Sequence, residues 1–219
     1  SSGFVKNPSF EDGSAAAMVG GVALNDWKLI GGSASAEGFS ASIQTTNVHA
    51  GDGTNALEVS SVVTGGEWNI RLINTTYPFA GDNSADIEVT VRFWAKTTDA
   101  APVSENSAGD MRLRVKDTGS LDYATSAQKT KGFVEKYNSV LLTTDTWAYI
   151  TKTFTFPAAA NYDLSLYLEF GKLDGVTQIE GITTSVTGGA TLASDSITWN
   201  GSTDKDWNTT TNWTPERVP

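Results

Sequence analysis

The chain has 219 residues, of which 39% are hydrophobic, and a formal net charge of −10. That length allows one large β domain, or one domain with a further fragment, and the hydrophobic fraction argues against a disordered chain. The absence of cysteine and the single histidine exclude disulfide frameworks, thiolate sites and histidine-rich metal clusters. The acidic balance argues against a nucleic-acid partner, and no apolar run reaches the ~20 residues of a membrane helix, so we expect no membrane insertion.

Apolar and polar residues alternate with period two along most of the chain, which predicts β-strands. The clearest stretches are residues 56–59, 86–94, 111–115, 151–156 and 163–170. Turn-forming glycine, aspartate and asparagine residues separate them, and no stretch has helical periodicity. About ten short strands with regular turns predict an all-β fold, a β-sandwich of the jelly-roll type. An immunoglobulin-like sandwich is the alternative, although it usually needs only seven strands.

The composition changes near residues 187–189. The tail beyond them is polar and contains Trp199, Trp207 and Trp213, with few aliphatic residues beside them. This tail could pack back on the sandwich, or it could begin a second module that the chain cuts short. We favour the second interpretation and expect a sandwich domain over residues 1–188, followed over residues 189–219 by a linker and the truncated start of a further β-rich module.

An ordered series of short motifs runs through the first 188 residues. In chain order it comprises F-V-K-N-P-S-F-E-D-G at 4–13, D-W at 26–27, V-H-A-G at 48–51, N-A-L-E-V at 55–59, E-W-N-I-R-L at 67–72, T-V-R-F-W-A-K at 90–96, T-W at 146–147, T-F-T at 153–155 and L-E-F-G at 168–171. In this order and spacing the series resembles the carbohydrate-binding modules of families 4, 9, 16 and 22. The resemblance implies a jelly roll similar to galactose-binding domains, which binds polysaccharides without cutting them and is usually attached to a secreted glycoside hydrolase.

Strand alternation predicts which polar side chains leave the core. If Met111, Leu164 and Ile70 face inward, the apolar residues at every second position along the same strands face inward too. The residues between them, which include arginines, one tyrosine and one carboxylate, then face outward. Such a mixture suits sugars, because a sugar ring presents C–H groups on its face and hydroxyls on its edge. The predicted ligand-binding residues are Trp68, Asn69, Arg71, Arg112, Arg114, Tyr123, Tyr167 and Glu169.

The resemblance adds specific expectations for these positions. In the resembled modules the corresponding outward faces line a concave cleft. Glu169 stands where members commonly place a ligand-contacting glutamine, and Tyr123 lies where they often set an aromatic platform. Arg71 departs from the family pattern, since many members carry glutamine or an acidic residue there.

Several alternatives stay open. Trp68 shares the parity of Ile70 and Leu72, so burial and a platform role are equally compatible with the sequence. The arginines at positions 112 and 114 could form an ordinary solvated face paired with Glu169, worth ~0–1 kcal/mol. Three arginines in one cleft favour an acidic or sulfated glycan, whereas stacking and hydroxyl donation favour a neutral β-glucan or xylan.

The resemblance also implies a structural calcium ion, which prefers six to eight oxygen ligands. Glu11 matches the contribution of the N-terminal strand, Asp52 in a glycine-flanked turn provides a second carboxylate, and Glu180 a third. Gly181 stands where members often show a further aspartate. We expect the single histidine, His49, to shape a turn.

We expect no catalytic residues. A glycosidase needs two carboxylates across the scissile bond, and no second acidic residue shares the predicted face of Glu169. A jelly-roll polysaccharide lyase or hydrolase is the enzymatic alternative, with Tyr167 beside Arg112 and Arg114 as its nearest approximation, and a structural or adhesive cell-surface module is the third. We expect a monomer within a multimodular bacterial protein that is secreted or held at the cell surface.

Overall fold

Extended backbone dominates the protein, as the period-two alternation predicts. The structure, a computed structural model, describes residues 4–31, 39–51, 53–64, 66–74, 77–80, 86–99, 110–117, 135–156, 161–187, 191–192, 198–199 and 213–214. Strands account for most of the described residues. Within the described ranges the one helical element is a single 3₁₀ turn, Glu67–Asn69, and no helix there has the length and apolar character that crossing a membrane requires.

The described residues form sixteen β-strands. Their bounds are β1 Ala16–Met18, β2 Ala23–Leu24, β3 Trp27–Gly31, β4 Ser40–Gln44, β5 Ala56–Ser61, β6 Ile70–Asn74, β7 Tyr77–Ala80, β8 Ile87–Thr97, β9 Asp110–Asp117, β10 Glu135–Leu141, β11 Ala148–Phe156, β12 Asn161–Glu169, β13 Gly175–Thr187, β14 Thr191–Leu192, β15 Thr198–Trp199 and β16 Trp213–Thr214. The five stretches with the clearest alternation all lie in strands or overlap them, namely β5, β8, β9, β11 and β12.

The strands pair antiparallel into two main sheets. Sheet A has the order β1-β4-β5-β13-β8-β11, and sheet B has the order β10-β9-β12-β6-β3-β2, with β7 beside β12 and β14 beside β7. β15 and β16 form a separate two-stranded sheet. Two antiparallel sheets of this kind make a jelly-roll β-sandwich, which confirms the predicted fold class. The domain boundary near residue 188 stays a prediction.

The core lies between the two sheets and is built from the inward residues of their central strands. In sheet B, Met111, Leu113 and Val115 of β9 are buried, as are Leu164, Leu166 and Leu168 of β12. In sheet A, the inward residues of β8 alternate with more exposed neighbours along its whole length. The inward assignments made from the sequence are therefore confirmed, and the opposite parity gives the outer faces.

The N-terminal segment closes the sandwich across both sheets. The Phe4 N–H donates to Thr184 Oγ1 of β13 at 2.9 Å, and the Lys6 N–H donates to Asn74 Oδ1 of β6 at 2.9 Å. The buried Trp27 fixes the same segment, because its indole N–H donates to the Asn7 carbonyl at 3.1 Å. One short stretch of chain thus holds a strand of each sheet in place.

Candidate functional site

The outer face of sheet B carries most of the polar residues that the sequence analysis assigned to a binding cleft. Because β10, β9, β12 and β6 pair in register, their outward residues form rows across the sheet. One row contains Ser139, Arg112, Glu169 and Arg71, and the next contains Tyr137, Arg114, Tyr167 and Ile73. The structure therefore brings Arg71, Arg112, Arg114, Tyr167 and Glu169 onto one face.

Glu169 lies at the centre of this face and joins two arginines. Glu169 Oε2 lies 2.5 Å from Arg112 Nε, and Glu169 Oε1 lies 2.6 Å from Arg114 Nη2. The Glu169 side chain is fully buried, whereas those of Arg112 and Arg114 keep 18% and 12% of their exposure. Alternation places Glu169 on the outer side of β12, where the long side chains from β9 cover it. A carboxylate withdrawn from water this far is stable only with such partners.

Three aromatic rings surround the two arginines. The Arg112 guanidinium carbon lies 4.5 Å from the ring centre of Tyr137 and 5.9 Å from that of Trp68, and the Arg114 carbon lies 4.3 Å from that of Tyr167. These distances lie within the range of cation–π attraction. Tyr167 is buried, but Trp68 and Tyr137 are 49% and 45% exposed. Two open rings thus flank a charged centre.

Trp68 projects from the 3₁₀ turn, which packs directly on Gly171. The Gly171 N–H donates to the Glu67 carbonyl at 3.0 Å, and the Thr64 N–H donates to the Gly171 carbonyl at 2.8 Å. A β-carbon at residue 171 would lie 1.9 Å from the Gly66 carbonyl oxygen. Since only glycine permits this approach, the last residue of the L-E-F-G motif sets the position of the turn and of Trp68.

Arg71 and Asn69 are tied to the same turn. Arg71 Nη1 donates to the Trp68 carbonyl at 2.8 Å, and Arg71 Nε is buried without a hydrogen-bond partner. Asn69 is buried, and its Nδ2 donates to the Thr64 carbonyl at 3.2 Å. Asn69 was predicted to bind the ligand; in the structure its side chain bonds to the chain just before the turn and stabilises it.

Glu67 is a second carboxylate near Arg112, which the sequence analysis did not assign to this face. Glu67 Oε1 lies 2.9 Å from Lys172 Nζ, and Glu67 Oε2 lies 3.7 Å from Arg112 Nη1. Burial raises the pKa of Glu67, but the hydrogen bond from Lys172, its own backbone N–H and the charges of Arg112 and Lys172 together lower the pKa below its usual value. Alternation could not reveal Glu67, because it lies in the 3₁₀ turn rather than on a strand.

Tyr137 is the other residue of this face that the sequence analysis missed. The aromatic platform had been assigned to Tyr123, which lies outside the described residues. Tyr137 belongs to β10, where it pairs with Arg114. The available signal was its alternation with the buried residues Val140 and Leu142, which put position 137 on the outer face.

The predicted calcium ligands lie around the loop of residues 49–55. Glu11 accepts hydrogen bonds from the N–H groups of Thr54 and Asn55 at 2.8 and 2.7 Å and from the Thr54 hydroxyl at 2.9 Å. Burial raises the pKa of Glu11, but these hydrogen bonds together lower it by more, so the pKa lies below its usual value. At the other end of the loop, the buried Glu180 carboxylate accepts a hydrogen bond from the His49 N–H.

The donor chemistry of this loop agrees with a calcium ion, which binds carboxylate and carbonyl oxygens. Both Glu11 and Glu180 contact the loop that carries Asp52, although Asp52 itself lies outside the described residues. The part of the chain that the structure describes holds no group of three acidic or histidine side chains able to share a metal. The remaining ligands would have to come from Asp52 and from carbonyl oxygens.

The outer face of sheet A carries a different aromatic cluster. The His49 ring stacks on Trp94 with the ring centres 3.9 Å apart, and Tyr149 lies against the same indole at 5.0 Å. Trp94 alternates with the buried residues of β8 and therefore lies on the outer face of sheet A. Because His49 covers Trp94, the open ring of this cluster is that of Tyr149, which is 51% exposed.

Solved structures share this fold. A family 4 carbohydrate-binding module is 16% identical, with a TM-score of 0.50 over 84% of this chain and 99% of that chain. An arabinose-bound GH51 α-L-arabinofuranosidase is 13% identical, with a TM-score of 0.50 over 84% of this chain but 26% of that chain. The CBM22-1 xylan-binding domain of Paenibacillus barcinonensis Xyn10C is 13% identical, with a TM-score of 0.45 over 81% of this chain and 90% of that chain.

Carbohydrate-binding modules of families 16 and 61 are also among the structural matches. The family 4 module, at a TM-score of 0.50, shares the fold that the sequence resemblance predicts. No family model matches the chain, and no curated protein sequence matches it. At identities this low the similarity establishes the fold, and the chain spans about a quarter of the arabinofuranosidase.

Proposed function

We propose that this protein is a non-catalytic carbohydrate-binding module that holds a polysaccharide chain on the outer face of sheet B. The observation that carries the proposal is the pair of open rings, Trp68 and Tyr137, on either side of Arg112. Apolar rings next to oriented hydrogen-bond donors match the two surfaces of a sugar, its C–H face and its hydroxyl edge. The family 4 module that shares the fold is a carbohydrate-binding module by name.

The proposed cleft is organised before the ligand arrives. Glu169 fixes the guanidinium groups of Arg112 and Arg114, so their remaining N–H groups point in set directions. Gly171 fixes the turn that carries Trp68. A site of this kind loses little conformational entropy on binding, which favours affinity for a weakly contacting ligand such as a sugar. Tyr123 stays a proposed further platform.

The environment of the carboxylates favours binding over hydrolysis. A glycosidase needs one carboxylic acid whose pKa is raised, so that it can protonate the leaving oxygen. The pKa of Glu67 is instead lowered, and both oxygens of Glu169 face arginines. The two carboxylates therefore serve to position the side chains of Arg112, Arg114 and Lys172. Because two carboxylates lie near one arginine, hydrolysis is nevertheless the second candidate function, and an assay for new reducing ends tests it.

The module acts, in this proposal, as a monomeric part of a secreted multimodular enzyme. Holding an attached catalytic module against its polymer raises the effective substrate concentration without any new catalytic group. A calcium ion at the 49–55 loop, held by Glu11, Asp52 and Glu180, would stabilise the fold rather than contact the sugar. If the calcium ion binds there, the melting temperature of the protein should be higher in calcium than in a chelator. Glu11→Gln should abolish that difference.

A panel of soluble and insoluble polysaccharides tests the main proposal. Retardation in affinity gels, or retention on insoluble polymer, should occur for at least one polysaccharide and should weaken in Tyr137→Ala. Tyr149→Ala is the matched control, since it removes an equally open ring from the opposite face. New reducing ends or unsaturated products would favour the hydrolase or the lyase instead. Undiminished retention of Tyr137→Ala on a proven ligand would contradict the cleft assignment.

A further inference from the structure

The cleft is a cationic region on an acidic protein. Five cationic side chains, Arg71, Arg112, Arg114, Lys116 and Lys172, lie in it or at its edge, against two described carboxylates, Glu67 and Glu169. The whole chain has a formal net charge of −10. The described part of the cleft therefore reverses the sign of the protein around it, and such a local field selects ligands by charge.

Part of the excess positive charge belongs to Arg71. Glu169 stands beside Arg71 in the strand register, but its two oxygens face Arg112 and Arg114. Arg71 donates to a neutral acceptor, the Trp68 carbonyl, and in the described part of the chain no carboxylate lies within ion-pair distance of it. Its Nε is buried and has no hydrogen-bond partner.

Such an arrangement costs stability unless something else gains from it. A partly buried charge without a counter-ion pays for its desolvation and recovers little Coulomb energy. A neutral donor such as glutamine could reach a sugar hydroxyl from the same strand position without that cost. A guanidinium has an advantage where the ligand is a planar or tetrahedral anion, because it donates two parallel hydrogen bonds to it.

From this we infer that the polysaccharide is anionic, bearing a uronate carboxylate or a sulfate ester, and that Arg71 is the residue that binds the anion. The inference rests on the proposed function and specifies its ligand class. Trp68 and Tyr137 stack on the sugar rings, and Arg71, beside the turn that carries Trp68, takes the charged substituent. Arg112 and Arg114, which both contact Glu169, donate to hydroxyls.

Chemically matched polymers test the inference with the wild-type protein alone. Polygalacturonate is compared with its carboxyl-reduced form, and a sulfated galactan with its desulfated form, at about 20 mM and about 500 mM salt. We expect one charged polymer to bind at least tenfold more tightly than its neutral form at low salt, with the preference shrinking at high salt. The pair that shows this preference identifies the anion as carboxylate or sulfate.

Variants at position 71 assign the effect to Arg71. Arg71→Gln should remove the preference and its salt dependence, while Arg71→Lys should keep the salt dependence and lose part of the affinity. Thermal melting of both variants shows whether they fold. Equal binding of the charged and neutral forms, lost in Tyr137→Ala, would overturn the inference and leave the proposed function intact. Binding of neither form of any polymer would overturn both.

Discussion

The two outer faces of the sandwich follow the same alternation rule and yet differ in what they place there. On sheet B, the face around Glu169 withdraws a carboxylate and two guanidinium groups from water. On sheet A, the strand β11 presents Thr151, Thr153 and Thr155 to solvent. Threonine favours strands through its branched side chain and stays hydrated through its hydroxyl, so the sheet A face needs no further explanation.

The sheet B face cannot be explained by solubility or strand propensity. Desolvating three ionic groups costs free energy that a surface threonine never incurs, and the ion pairs offset this cost only while all partners are present. Among the described residues, sheet A also carries a buried carboxylate on its outer face, that of Glu180, which contacts the candidate calcium loop of residues 49–55. Buried charge on an outer face therefore needs a reason beyond solubility, and ligand binding is the reason proposed for the sheet B face.

The largest expected effect comes from removing the central charge of the sheet B face. Glu169→Gln leaves Arg112 and Arg114 close together without the carboxylate that they share, and we expect the free energy of unfolding to fall by about 3–5 kcal/mol. Urea titration followed by fluorescence measures the loss. Glu88→Gln is the control, because Glu88 is an exposed carboxylate on the outer face of sheet A and should change stability by less than about 0.5 kcal/mol. Equal losses in the two variants would erase the distinction between the faces.

A second change tests how the backbone supports the sheet B face. Gly171→Ala places a β-carbon against the Gly66 carbonyl, so the turn has to move. We expect a loss of about 1–3 kcal/mol in stability, together with weaker polysaccharide binding as Trp68 shifts. Gly20→Ala is the matched control, since a β-carbon there would meet no atom within 4 Å. A stable Gly171→Ala protein with unchanged binding would show that the turn does not position Trp68.

The sequence was sufficient for the five strands with the clearest alternation and for the central cluster of the site. Alternation alone placed Arg112, Arg114 and Glu169 on outer faces, because the period of two holds along β9 and β12 without interruption. It could not decide the environment of Trp68. The 3₁₀ turn interrupts the period just before Ile70, so the shared parity of residues 68 and 70 has no structural meaning, and Trp68 is open rather than buried.

The remaining parts of the site depend on contacts between distant strands. Tyr137 becomes a neighbour of Arg112 and Arg114 only through the register of β10 on β9, and the residues that link those two strands are outside the described part of the chain. Glu67 approaches Arg112 through the packing of the turn on Gly171. Neither pairing is encoded in local periodicity, so both had to come from the structure.

A third prediction separates the two faces by binding rather than by stability. Tyr137→Ala should weaken polysaccharide affinity about tenfold, or ~1.4 kcal/mol, because it removes one of the two open platforms. Tyr149→Ala removes a ring of similar exposure from sheet A and should change affinity less than about twofold. Isothermal titration measures both variants, and melting temperatures show that each is folded. An equal loss for both would mean that the ligand also contacts sheet A.

The smallest expected effect concerns the free energy of unfolding at acidic pH. The pKa of Glu67 is lowered in the folded protein, so its contribution to stability is present above the unfolded-state pKa of about 4.3 and is lost as the pH falls through the folded-state pKa. Glu67→Gln should therefore cost up to about 1 kcal/mol near neutral pH, and the difference from wild type should shrink as the pH falls below the unfolded-state pKa. Urea unfolding across this range measures it.

A double-mutant cycle of Glu67→Gln and Lys172→Met measures how much of this stability comes from the ion pair between the two residues. The coupling between Glu67 and Lys172 should be measurable at neutral pH and absent in acid, since protonation of Glu67 removes the charge that Lys172 contacts. A coupling that grew as the pH fell would contradict the sign of the pKa shift. Because Glu67 also faces Arg112, loss of the charge should also make the sheet B face more cationic and tighten its binding to an anionic polysaccharide.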